Sequence, residues 1–118
     1  MSSLADLSRR SYNQLPIEQF LKKLKECQQA LLIDIRRDHE ATEGGLKGAI
    51  SMDILDEKFF IEIAKHPIST KLFIYCSNGK RSAIAGKHLS RMGYETTGLQ
   101  GGYLSLKGGE RNIIKQRN

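Results

Sequence analysis

The chain has 118 residues, of which 39% are hydrophobic and 27% charged, with a formal net charge of +6. That length holds one hydrophobic core, and no apolar run approaches the length needed to cross a bilayer. Two cysteines exclude a disulfide framework, and alongside only three scattered histidines they lend little support to a metal site. Much of the positive excess sits near the ends, at Arg9, Arg10, Arg111, Lys115 and Arg117, without interleaved aromatics. It reads as solvated tails rather than as a nucleic-acid or membrane surface. Met1 to Asn13 lacks the apolar stretch of a secretory signal, so the expected location is cytoplasmic.

In chain order, Pro16 suits the first position of a helix reaching Gln28, with Ile17, Phe20, Leu21, Leu24 and Cys27 on one stripe. The run Ala30 to Ile35 is continuously apolar except for Asp34, as in a strand covered on both faces. Arg36 to Lys47 is polar and reads as a long loop, and Gly48 to Met52 as a short strand. Asp53 is placed to cap a helix from Ile54 to His66, which Pro67 ends. Lys71 to Tyr75 is a second buried strand, followed abruptly by Cys76-Ser77-Asn78-Gly79-Lys80-Arg81. Ser82 to Met92 reads as a helix with Ala85, Leu89 and Met92 inward and Gly93 closing it. A strand from Glu95 to Leu99 leads to Gly101-Gly102 and a short helical piece from Tyr103 to Lys107. Strands alternating with helices predict an α/β fold: a mostly parallel sheet of about five strands with helices on both faces. The expectation is a single domain over 1–118, with its core at about 12–107 and frayed ends.

Cys76 stands at the carboxyl end of a strand, where open parallel sheets bind their ligands. The short turn and the helix start behind it form an anion-binding nest, and Lys80 and Arg81 add positive charge. Both favour a thiolate, and hence a nucleophile prepared for an anionic substrate. A cysteine at a strand end is often simply core, but Ser-Asn-Gly-Lys-Arg-Ser suits an exposed loop instead.

The segment Leu72 to Ser82 resembles the strand, cysteine loop and helix start of the rhodanese family. Leu31 to Arg36 resembles its D-x-R strand, Glu40 with Gly44 to Ile50 its E-x-x-x-G-H-I-x-G-A-I stretch, and Leu99 to Tyr103 its L-x-G-G motif. These segments keep the family's order from about Tyr12 to Lys107. The usual histidine of G-H-I is Gly45 here, and Leu106 replaces an aromatic residue. The resemblance implies a thiosulfate sulfurtransferase-like enzyme. Cys76 would take a sulfane sulfur as a persulfide from a small anionic donor such as thiosulfate and pass it to cyanide, a thiol or a protein. Backbone N–H groups of Ser77, Asn78, Gly79, Lys80, Arg81 and Ser82 would hold the anionic sulfur. Lys80 and Arg81 would attract the donor and help sulfite leave, with no metal or organic cofactor. A monomer or a weak homodimer would serve equally.

Two rivals remain. Phosphatases and arsenate reductases of related architecture carry a C-x5-R loop, whereas Cys76 to Arg81 is C-x4-R, a ring better sized for one sulfur than for a tetrahedral oxyanion. A non-catalytic binding, regulatory or sulfur-carrier module is the other. Asp34 and Arg36 are supporting residues, the aspartate as a loop anchor; Arg36 or Arg37 would either line the substrate mouth or be solvated. His39, His66 and His88 lie on polar segments and are expected to be exposed. Cys27 falls on the core stripe near the start of its strand. Cys76 ends a neighbouring strand that spans roughly 16 Å, beyond the Cα separation of about 7 Å that a disulfide tolerates.

Overall fold

The computed structural model describes residues 12–41 and 44–106, excluding the side chains of Asp38 and His39. The two ends, which the sequence reading expects to fray, and Lys107, expected to finish the last helical piece, lie outside the described residues. Five strands form one parallel sheet: β1 (Tyr12–Leu15), β2 (Ala30–Asp34), β3 (Ile50–Ser51), β4 (Lys71–Tyr75) and β5 (Thr96–Leu99), in spatial order β1-β5-β4-β2-β3. Helices α1 (Ile17–Glu26), α2 (Asp38–Ala41), α3 (Phe59–Ile63) and α4 (Lys80–Arg91) connect them, and a 3₁₀ turn covers Tyr103–Ser105. Among the described residues, no helix is long and apolar enough to cross a membrane.

Successive side chains of a strand face opposite ways, and β4 divides the core accordingly. Leu72, Ile74 and then Cys76 face a cluster with Ile33, Ile35, Phe59, Ile63, Ala85 and Leu89. Phe73 and Tyr75 face the opposite cluster with Phe20, Leu32, Leu46, Leu99 and Tyr103. Each face therefore has its own helix cover, α3 and α4 on one side and α1 on the other, as the continuous apolar strands predict. Phe20 anchors α1 by meeting the Phe73 ring edge-on, with centroids 5.5 Å apart.

Three elements differ from the sequence reading. Tyr12–Leu15 is a strand at the edge of the sheet, paired with β5; Asn13 and Gln14 interrupt any apolar run there. The helix expected over Ile54 to His66 is regular only over Phe59–Ile63. The reason is local competition: Asp53 Oδ1 accepts the Leu55 N–H at 2.8 Å and Asp56 Oδ1 accepts the Lys58 N–H at 2.8 Å. Two successive Asx turns occupy the stretch where the first helical turns would form. Conversely, the polar loop after β2 contains the single turn α2, at whose start Glu40 Oε1 accepts the Arg37 N–H at 2.9 Å in the manner of a capping box.

Candidate functional site: the Cys76 loop

β4 ends at Tyr75, and the next four residues, Cys76 to Gly79, turn directly into α4. Gly79 makes the turn possible, with φ at +91° in the left-handed region that glycine enters freely. The turn aims backbone donors at the sulfur. Cys76 Sγ accepts the Gly79 N–H at 3.1 Å and the Ser82 N–H at 3.3 Å, while its thiol lies 3.6 Å from Ser82 Oγ. Such convergence is what an anionic sulfur needs, and a purely apolar core cysteine would have no use for it.

The loop lies deeper than its polar composition suggested. Cys76 and Ser82 are fully buried and Ser77 nearly so, leaving Asn78 and Lys80 exposed. The Gly101-Gly102 turn holds it down: Tyr103 N–H donates to Cys76 O and Leu104 N–H to Ser77 O, both at 2.8 Å. A Cβ on Gly102 would fall 2.4 Å from Ser77 O, so the two backbones touch as only glycine permits. Asn78 Oδ1 accepts the Lys80 N–H at 3.0 Å and fixes the outer bend.

Arg81 does not stand as an open cation. Its guanidinium donates to both carboxylate oxygens of Glu40, at 2.9 and 3.1 Å, and Ser77 Oγ donates to Glu40 Oε2 at 2.5 Å. Hydrogen bonds from Arg81 chiefly, and from Ser77, hold the Glu40 carboxyl at about 2, against an ordinary value of 4.5. A separation of 41 positions along the chain leaves no local sequence signal for this pair. Arg37 pairs with Asp53 at 3.4 Å, and both line a cleft of about 390 Å³ floored by Met52, Leu55 and Phe59. Asp53 also acts electrostatically on Arg81.

Arg36 neither lines a mouth nor is solvated. It is 4% exposed and clasps fully buried Asp34 through Nε and Nη2, the latter at 2.7 Å from Oδ2. Its guanidinium lies over the Tyr103 ring, 4.4 Å from the centroid, and also donates to the Gly44 carbonyl. Asp34 Oδ1 accepts the Arg36 backbone N–H at 3.0 Å, the anchoring role expected of the aspartate. Tyr75 OH completes the cluster, donating to Asp34 Oδ2 at 3.0 Å and accepting the Leu46 N–H at 2.9 Å. This cluster lies on the opposite side of the sheet from Cys76. It ties the loop that holds Gly45 and Leu46 to the end of β4.

Sequence reasoning missed Tyr12 and Gln14, which reach the cysteine loop from β1: Gln14 Nε2 donates to Gly79 O at 3.3 Å, and Tyr12 OH to Ser82 Oγ at 3.3 Å. The one available hint was Gly86 inside α4, a position that costs about 1 kcal/mol relative to alanine; its missing Cβ makes room for the Tyr12 ring. His88 is exposed, as expected, beside the Phe60 ring, whereas His66 is only half-exposed. Cys27 is half-buried against the Phe20 cluster, and both cysteines are free. Among the described residues, no three His, Cys, Asp or Glu side chains come together as a metal site.

The sequence and the fold were also compared with known proteins. The chain is 29% identical over 97 residues to a sulfurtransferase of Allochromatium vinosum, covering 82% of this chain and 83% of that one. Its fold superposes on a rhodanese-related protein from Thermoplasma volcanium with a TM-score of 0.67 and 22% identity, covering 80% of this chain and 89% of that one. It likewise superposes on a polysulfide-sulfur transferase homodimer from Wolinella succinogenes, with a TM-score of 0.65 and 22% identity over 97% of this chain and 86% of that one. The family model of the rhodanese-like domain matches residues 17–108, from the first helix through the Cys76 loop and past the Gly101-Gly102 turn, and the chain accordingly belongs to the rhodanese-like domain family.

Proposed function

We propose that this chain is a sulfurtransferase whose carrier atom is Cys76 Sγ. The observation that carries the reading is the pair of backbone donors, Gly79 N–H and Ser82 N–H, converging on that sulfur. With thiosulfate as donor, the Cys76 thiolate attacks the sulfane sulfur, a new S–S bond forms, and the bond to the sulfonate sulfur breaks. Sulfite leaves with the electron pair, and the negative charge of the persulfide rests on the outer sulfur. Cyanide, a thiolate or a protein nucleophile then attacks that sulfur and returns the Cys76 thiolate. The chemistry is covalent catalysis with electrostatic stabilisation by the loop.

Two features favour sulfur over a phosphate-sized oxyanion. The ring from Cys76 to Arg81 is short, and the Arg81 fork that would grip an oxyanion already holds Glu40. Since Cys76 is fully buried, the donor reaches it only when the loop yields; exposed Lys80, at the outer bend, supplies positive charge where an anion would approach.

Intact-protein mass spectrometry after thiosulfate treatment, beside Cys76→Ser, tests the reading. It predicts a gain of about one sulfur atom, removed by cyanide or a thiol and absent in the variant. No adduct from thiosulfate, polysulfide or a persulfidated thiol would overturn it in favour of a non-catalytic module.

A further inference from the structure

Strand β1 precedes the residues matched by the family model, which begin at 17, yet two of its side chains reach the loop that surrounds the sulfur. A serine hydroxyl has one donor and two acceptor sites. At Ser82 all three are used while Cys76 is a thiol: Oγ donates to Gly79 O at 3.1 Å, accepts Tyr12 O–H at 3.3 Å, and faces the Cys76 S–H at 3.6 Å. An anionic sulfur has no proton to give, so the Ser82 hydroxyl gains by turning its own proton onto it. That turn would strip the Gly79 carbonyl of one donor, but Ala83 N–H at 3.1 Å and Gln14 Nε2 at 3.3 Å already donate to the same oxygen. The other Gln14 N–H donates to Tyr12 OH at 2.9 Å, which leaves the Tyr12 proton directed at Ser82.

The Tyr12 ring is held for this task. A Cβ on Gly86 would come within 2.0 Å of its Cδ1, and one on Gly98 within 1.8 Å of its hydroxyl oxygen. Two missing side chains, one in α4 and one in β5, form the slot.

We propose that Tyr12, oriented by Gln14, is a positioning residue for Cys76: the donor chain Gln14–Tyr12–Ser82 supplies a third hydrogen bond to the anionic sulfur, beside those of the Gly79 and Ser82 N–H groups. This rests on the reading of Cys76 as the nucleophile and deepens it. Arg81 from α4 also acts electrostatically on Cys76, and it keeps its Glu40 partner in every variant below.

The test is the pH profile of Cys76 alkylation by iodoacetamide in the full chain, followed on the Cys76 peptide by mass spectrometry. Ser82→Ala should move the midpoint up by about one pH unit, the worth of one hydrogen bond to a charged group. Tyr12→Phe keeps the ring in its slot and should move it up by about 0.3 unit, the cooperative share of a chain; Gln14→Leu should do likewise. The double variant Tyr12→Phe/Ser82→Ala should go no further than Ser82→Ala alone. An unmoved profile in Tyr12→Phe and Gln14→Leu, or a Tyr12 shift that persists undiminished without the Ser82 hydroxyl, would overturn the proposal. Sulfur loading of the same variants keeps the two readings apart. A chain that never loads sulfur but shows these shifts loses the transfer function and keeps the positioning role.

Discussion

Replacing Gly102 with alanine puts a methyl group against the cysteine loop. Two costs add. The backbone at φ 70° and ψ −173° is a conformation essentially reserved for glycine, worth about 1–3 kcal/mol of strain to any other residue. The new Cβ also lies 2.4 Å from Ser77 O, 2.5 Å from Ser77 C and 2.6 Å from Asn78 N, all backbone atoms with no rotamer to change. Reaching an ordinary contact near 3.5 Å takes about 1 Å of separation, enough to break hydrogen bonds of normal length. The bonds at risk are those from Tyr103 and Leu104 to the Cys76 and Ser77 carbonyls. Overpacking of this kind costs about 1–3 kcal/mol, and the sum of about 2–6 kcal/mol implies a fall in Tm of at least about 6 °C for a domain of this size. Gly48→Ala is the control, since φ is +85° there but nothing lies within 4 Å of the added atom; it should cost only about 1–2 kcal/mol. Thermal unfolding with sulfur loading reads both effects. If Gly102→Ala melts no lower than Gly48→Ala and loads sulfur normally, the clamp between the glycine turn and the loop does not exist.

Further outcomes follow from the charged clusters. The Glu40 carboxyl titrates at about 2, below its ordinary 4.5, so its contribution is complete above pH 4.5 and disappears as the pH falls toward 2. The Glu40 side chain is 25% exposed, and solvent screening reduces the nominal value to about 1 kcal/mol. Glu40→Gln should therefore melt several degrees below the parent at pH 7, and the gap should narrow below pH 4.5 and close as the pH falls through about 2; a gap that stays constant with pH would rule out the ionic origin. Asp34→Asn leaves the Arg36 guanidinium buried without its carboxylate, at about 3–5 kcal/mol. Urea unfolding should show that loss, with partial recovery in Asp34→Asn/Arg36→Met; an unchanged midpoint would contradict the burial described for the pair.

The parts of this fold that could be read in the sequence are those in which one segment settles its own fate. Lys71–Tyr75 is apolar and abruptly ended, and the structure gives it those bounds. The cysteine loop was legible because its glycine and the start of α4 are contiguous. Where two distant segments decide together, the sequence was silent. Tyr12–Leu15 is a strand only because β5 offers it an edge, and Arg81 is neutralised by a residue whose nearness depends on the loop after β2. The stretch after Asp53 was misread for a different reason. Its apolar periodicity is real, but the carboxylates of Asp53 and Asp56 capture N–H groups that a helix would have used. Arg36 was misplaced because nothing local shows that Tyr103, far along the chain, will cover it.

The pairing of β1 with β5 joins the first described strand to the last. During synthesis Cys76 leaves the ribosome before β5 does, so a nascent chain can hold Cys76 with neither the Gly101-Gly102 turn above it nor the Tyr12 slot beside it. Contacts this far apart in the chain carry a large loop-closure cost and form late. Cys76 thus acquires its complete set of backbone and side-chain neighbours only after β5 has been made and β1 has docked against it, and the order of folding itself sets when the loop is assembled.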